Sequence, residues 1–331
     1  MTISRKHFHL LLALAFVLAM PLTMQSGSLA SEVLIYGLAA MGCNLLLGHT
    51  GLLSFGQGIF FGLGSYTIAL TLSRWPLPMP LALALAVVAG AVGAALVGWI
   101  AIRQRGTYFV MLTLAFAQMF YFLAYSMPGL TGGDNGLMDI PRPSLAVGGV
   151  TLWPLASPWQ YYGFVAVMFL VAFWLLQTVS ASVFGRTLLA VRDNEERAGA
   201  IGYDLKLLKL QAFVISGAVT GLAGALHAMM TGIAPLASAE YHTSEMILVM
   251  TVIGGTGNLL ASLLGSAFYL IVGDWLSTLW PRWLLLLGVV LMVVSLGMQR
   301  GIWGLLESAW ARLRGAKDLA DASPASTGDK A

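Results

Sequence analysis

Few residues in this chain could do chemistry. Its five histidines are scattered, with His7 and His9 at the start and His49, His227 and His242 far apart. No Cys/His cluster has metal-ligand spacing. Cys43 stands alone in an apolar stretch, which excludes an internal disulfide and suits a small buried side chain. No GxxxxGKS/T loop is present to cradle a nucleotide, and RGTYFVML, Arg105 to Leu112, is not one. What remains are polar side chains in apolar surroundings. Asn44, His49, Ser54, Gln57, Ser65 and Tyr66 cluster with seven glycines between Gly42 and Gly64. Ser54 and Gln57 are three apart and face one way if this stretch is helical. Glycines permit close helix packing and broken helices, whose free backbone groups are tolerable in lipid only against protein or water. Such ends could guide a zwitterion without any buried ionised side chain. The alternative is that these polar groups merely bond between helices.

Composition says what must hold such residues. Of 331 residues, 58% are hydrophobic and 9% charged, against about 25% charged in soluble domains. Too few charges exist to cover a water-facing surface. Continuous apolar runs of about 20 residues disfavour a β-barrel, whose strands alternate over about ten. The 38 glycines suit helices that approach closely in lipid. The expected fold is therefore all-α, a polytopic transmembrane helical bundle. Spans are expected near Phe8–Met24, Ser31–Leu47, Leu52–Leu72, Met79–Ile102, Thr107–Met127, Trp159–Val179 and Leu210–Met230. Ser244–Gly273 is apolar but interrupted by GGTGN, Gly254 to Asn258, and Trp283–Gly297 closes the bundle. Breaking the run at the glycines gives about ten membrane segments, some broken or re-entrant; leaving it whole gives about nine.

Basic residues decide between these threadings, because cytoplasmic loops carry the excess of Lys and Arg. With Arg5 and Lys6 inside and the larger count, Arg103, Arg105 and the basic residues of 183–209 also fall inside. So do Arg300, Arg312, Arg314, Lys317 and Lys330, leaving only Arg74, Arg142 and Arg282 of the 17 basic residues outside. The smaller count would export the basic tail. The expected organisation is a cytoplasmic N-terminus (1–7), a membrane domain (8–299) with an external loop (128–158) and a cytoplasmic loop (183–209), and a cytoplasmic basic tail (300–331). The first segment, followed by SLASE, resembles a secretory signal, but the next span follows at once and the charge tally works with it retained. The external loop, with GLTGGDNG, IPRP and WPLASPW, is dense in turn formers and reads as a compact cap or a docking surface. GHTG, Gly48 to Gly51, and GGTG, Gly254 to Gly257, echo each other; if related, both breaks lie on the same side. The net charge of +3 gives no reason to expect a nucleic-acid partner.

The window from Val183 to Lys209 is the exception to all this. It holds Arg186, Arg192, Asp193, Glu195, Glu196, Arg197, Asp204, Lys206 and Lys209 between long apolar tracts. Residues 185–202 favour a helix, with Phe184, Leu188 and Val191 along one side. Arg192 with Glu196, and Asp193 with Arg197, are placed to pair four apart on the other. So many charges cannot lie in hydrocarbon, so a rod of roughly 24 Å is expected at the inner face. An apolar strip beside a charged one is what a partner grips.

These residues carry a resemblance. Gly185 to Leu226, GRTLLAVRDNEERAGAIGYDLKLLKLQAFVISGAVTGLAGAL, is similar to the signature region of permease subunits of branched-chain amino acid ABC transporters of the LivM type. So are Gly42 to Leu70, GCNLLLGHTGLLSFGQGIFFGLGSYTIAL, and TGGDNG of the outer loop; the likeness runs from about residue 30 to 305. The resemblance implies a coupling helix that sits in a cleft of a cytoplasmic ATPase, carried by Gly185, Arg186, Arg192, Asp193, Asn194, Glu195, Glu196, Ala198 and Gly202. It implies a second homologous permease, two ATPase subunits that hold ATP and Mg, and a periplasmic or surface solute-binding protein, in a bacterial inner membrane. No cofactor and no enzymatic step belong to this chain. Asn44, His49, Ser54, Gln57 and Tyr66 are the candidates for the substrate pathway. Leucine, isoleucine and valine are the implied substrates; urea or short amides, carried by close relatives, are the alternative. An ion-coupled secondary transporter is the rival class, but Glu245 and Asp274 lie too near predicted helix ends to serve it well.

Overall fold

The computed structural model describes residues 2–24, 26–75, 77–142, 145–147, 150–153, 155, 157–297 and 301–305. Arg300, Arg312, Arg314, Lys317 and Lys330 of the expected tail lie outside the described residues, as do the side chains of Arg5 and Lys6. The helices are α1 (Thr2–Thr23), α2 (Gly27–Thr50), α3 (Gln57–Ser73), α4 (Met79–Ala101), α5 (Thr107–Ser126), the single turn α6 (Pro128–Thr131) and α7 (Pro158–Ala181). There follow α8 (Val183–Asp193), α9 (Glu195–Ala200), α10 (Leu205–Thr231), α11 (Tyr241–Gly254), α12 (Leu259–Leu279) and α13 (Trp283–Gly297). Six of these, α2, α4, α5, α7, α10 and α12, are long and apolar enough to cross a membrane.

Local chemistry explains the boundaries. Ser157 and Gln160 form a reciprocal capping box ahead of α7, with Pro158 in its first turn. Asp204 caps α10 by accepting from Lys206 N and Leu207 N. α2 stops where Gly51 turns left-handed (φ 72°), and Leu52 N returns to Leu46 O. The long run after Ser244 breaks where the sequence suggested: Gly255 and Gly257 both take positive φ, and Asn258 caps α12 through Leu260 N. The span expected from Leu52 instead begins at Gln57, because residues 51–56 are irregular.

α2 is the hub of the bundle. It is buried nearly all round, with α7, α10, α11 and α12 packed about it. α10 crosses α3 and α4 so closely that backbone meets backbone. A Cβ on Gly64 would fall on the Gly221 carbonyl, and one on Gly224 on that of Phe61. Small residues permit this approach, which in lipid replaces the hydrophobic effect as the cause of association.

Contacts sort the connections onto two faces. One gathers the end of α2, the break between α11 and α12, α8, α9 and the α4–α5 turn; Gly301 abuts Gly254 and Gly255, and the His9 and Trp303 rings lie 6.1 Å apart. The other gathers the end of α3, residues 127–142, 145–147 and 150–153, and the end of α10. Within this all-α bundle that face also carries a short antiparallel hairpin of β1 (Leu145–Val147) and β2 (Val150–Trp153). The TGGDNG stretch is bonded down, with Leu137 N donating to Ala234 O (3.1 Å) and Ile140 N to Gly232 O (2.9 Å). Arg74 donates to Gly129 O at 2.6 Å, and Arg142 caps α10 through Met229 O (2.7 Å) and Met230 O. Two of the three basic side chains that the threading puts outside thus hold carbonyls of this face.

Candidate functional site

The polar residues between Gly42 and Gly64 sit where helix ends meet. Asn44 is fully buried on α2. Its amide nitrogen donates to Asn258 O and Ser262 Oγ, both at 2.8 Å, with Gly255 O at 3.4 Å. Its oxygen accepts from Gly257 N at 2.9 Å. Every group it carries is directed at the break between α11 and α12. Gly48 has no room for a side chain, since a Cβ there would stand 2.6 Å from Gly257 N. The two echoing glycine motifs are therefore in direct contact.

Gln57 does the same work on the other side. Its nitrogen donates to Ser216 Oγ at 3.0 Å, its oxygen accepts from Thr220 Oγ1 at 2.7 Å, and Ser216 Oγ donates on to Gly42 O at 2.7 Å. One side chain thus ties α3, α10 and α2. Ser54 receives Gly56 N in a local turn (3.1 Å), while Gly58 N donates to Ser244 Oγ at 2.7 Å. His49 is buried beside these groups. Tyr66 lies apart from them on α3, 5% exposed, and its hydroxyl is buried without a hydrogen-bond partner. Ser216, Thr220, Ser244, Asn258 and Ser262 were missed at the sequence level. The signal for two of them was legible: Ser216 and Thr220 are four apart in an apolar helix and so share a face.

The charged window is helical, but not as one rod. Asn194 breaks it with extended backbone (φ −158°, ψ 101°), and its side chain caps α9 by accepting from Arg197 N at 2.8 Å. A short polar side chain competes for backbone donors, so a cap outweighs continuity here. The break separates Arg192 from Glu196 and Asp193 from Arg197. The ion pairs of this stretch run instead to Glu195, which meets Lys209 Nζ at 2.8 Å and Arg105 at 3.6 Å. Lys209 is buried, so this pair pins α9 to the foot of α10. Leu188, Val191 and Ala198 are buried against the bundle, and Gly185 packs on the Ser180 carbonyl. Arg186, Asp193, Glu196 and Arg197 face outward, and Gly202 (φ 98°) makes the turn towards α10 with open space beside it. Arg192 is exposed as well, but its guanidinium turns back to the bundle and donates to Gly48 O. Apolar side in, charged side out, the segment is firmly attached to the bundle and offers its charges to whatever lies beyond.

A family model described as branched-chain amino acid transport system / permease component matches residues 26–296. The chain belongs to this family. The high-affinity branched-chain amino acid transport system permease protein LivM of Salmonella typhimurium is 29% identical over 322 residues, covering 91% of this chain and 75% of that protein. LivM of Escherichia coli is 28% identical with the same coverage. The autoinducer 2 import system permease protein LsrC of Salmonella typhi is 25% identical over 190 residues, 55% of this chain and 50% of its own. No solved structure gives a significant match. The matched region runs from the start of α2 to the end of α13, so it takes in both glycine breaks and the charged segment of this permease.

Proposed function

We propose that this permease is one of two membrane subunits of an ATP-driven importer for leucine, isoleucine and valine in the bacterial inner membrane. The observation that carries the reading is the family match over 26–296, with LivM relatives aligned over most of the chain. The permeases named above do not favour the urea and amide alternative. ATP and Mg belong to two cytoplasmic partners. A second permease completes the path, and a solute-binding protein delivers the substrate. The chain passes the bilayer ten times in this reading, with both termini inside. Support comes from the sorting of its connections onto two faces, with α3, α11 and α13 as the short segments. The charged face of α8 and α9, namely Arg186, Asp193, Glu196 and Arg197, seats in the ATPase, and its movement drives alternating access. Rebuilding all subunits in vesicles should give uptake of labelled leucine that requires ATP and each partner. Uptake by this chain alone, or of urea but not leucine, would refute the reading.

Of the five pathway candidates, Asn44 and Gln57 act as bonds between helices; His49 Nδ1 and the Tyr66 hydroxyl are both buried without a partner among the described residues, and Tyr66, which lies apart from the helix ends, is the one we assign to the path. A buried hydroxyl unpaired among the described residues is completed by water or by a passing solute. Tyr66→Phe should therefore leave the melting temperature equal or higher while flux falls roughly three-fold or more, since a lost partner is a loss only when something binds there. Unchanged flux in the vesicle assay would remove Tyr66 from the path.

A further inference from the structure

Arg192 is exposed like Arg186, Asp193, Glu196 and Arg197, but its guanidinium is bonded to the end of a membrane helix. The last carbonyls of any helix lack intrahelical donors. At the end of α2, Leu46 O receives Thr50 Oγ1 at 2.6 Å and Leu52 N at 3.3 Å, both from α2's own continuation. Gly48 O receives Arg192 Nη1, from α8. A guanidinium thus stands at the negative end of a helix of 24 residues, where a cation is favoured. The side chain threads between the two glycine breaks: a Cβ on Gly51 would lie 3.4 Å from its Cγ, and one on Gly257 4.0 Å from its Nη1. Both positions have positive φ and no side chain, which leaves room for the arginine to lie across them while part of it stays exposed. Beyond Gly48, Asn44 joins the end of α2 to Gly257 and the start of α12. The line runs from α8 through Arg192 to Gly48, along α2 itself to Asn44, and on to Asn258.

We infer that Arg192 is the positioning residue that carries motion of α8 into α2 and α12, and is not a contact for the ATPase. This rests on the importer reading above. A push on α8 needs a rigid connection to the membrane helices. Leu188 and Val191 supply packing that can slide, whereas a charge-assisted bond to a helix-end carbonyl cannot slide without breaking. Contact with the ATPase falls to the outward charges. Arg192 and Glu196, both expected from the sequence to dock the ATPase, should then fail in opposite ways.

The test uses the complete complex in vesicles, with Arg192→Gln, Arg192→Lys and Glu196→Lys in this chain. Three quantities are read: ATPase subunits co-purified, ATP hydrolysed on adding loaded binding protein, and leucine moved per ATP. Arg192→Gln should retain the ATPase subunits while leucine moved per ATP falls roughly ten-fold. Arg192→Lys should recover part of that ratio, since it keeps a cation with shorter reach. Glu196→Lys should lose ATPase subunits instead. A readout independent of transport is amide exchange in the isolated chain: Arg192→Gln should speed exchange at Gly51 and Leu52 roughly ten-fold. Loss of ATPase subunits from Arg192→Gln, or an unchanged ratio and unchanged exchange, would overturn the assignment. Should the unaltered complex fail to move leucine while exchange still responds to Arg192→Gln, the importer reading falls and the bond to Gly48 stands.

Discussion

Gly64→Leu should yield no folded, monodisperse protein in detergent, while Gly288→Ala leaves the elution profile and melting temperature unchanged. The difference lies in what each added atom meets. A Cβ on Gly64 would fall on the Gly221 carbonyl, and the same crossing brings Gly90 onto the Gly217 carbonyl and Gly224 onto that of Phe61. Around Gly288 nothing lies within 4 Å. Overpacking a core typically costs about 1–3 kcal/mol when side chains can yield. Here the obstacle is the backbone of α10, which has no rotamer to change, so α3 must retreat as a whole. Retreat breaks Ser65 Oγ to Gly224 O (2.9 Å) and separates Gln57 from Ser216 and Thr220. Helices in lipid have no solvent-driven force to restore the contact at a larger distance. A Gly64→Leu protein that melts like the unaltered chain would refute the close crossing of α3 and α10.

How far the sequence reaches is clear at these positions. Apolar runs and turn residues located the long helices, because length in hydrocarbon and freedom at glycine are local properties. The break at Gly254 to Asn258 was legible for the same reason. Asn194 was legible in type but was read as part of a rod, since intrinsic preferences summed over 185–202 favour a helix and cannot weigh one cap against them. The partners of Asn44 and Gln57 were out of reach: Ser262 is 218 residues from Asn44 and Ser216 is 159 from Gln57. α2 is apolar on every side, so no pattern marks which neighbour it meets. Arg192 shows the limit most sharply. It is exposed, as charges usually are, and only the geometry of the α2 end shows that its guanidinium is bonded there.

The second large effect belongs to Asn44. Asn44→Asp should destabilise the protein by about 3–5 kcal/mol, the cost of a buried charge without its complement. The replacement is nearly the same size, so packing does not account for the loss. It can still accept from Gly257 N, but an oxygen now faces Asn258 O and Ser262 Oγ where the amide nitrogen stood at 2.8 Å. Ser262 can turn its hydroxyl to donate; the Asn258 carbonyl cannot. Arg192, the cation bonded to the same end of α2, is already engaged at Gly48 O. Asn44→Ala should cost less, about 2–4 kcal/mol for the groups it leaves unpaired, and Ser262→Ala about 1 kcal/mol for a single bond. Thermal unfolding in detergent gives the order. Limited proteolysis at 255–258 gives the place, because the segment that opens must be the break that Asn44 holds. The reverse order, with Ser262→Ala the most damaging, would mean that Ser262 holds α12 through a partner other than Asn44, to which it is bonded here at 2.8 Å, and that the two breaks are merely neighbours. Then no bond would connect the end of α2 to α12, and motion arriving at Gly48 would stop there.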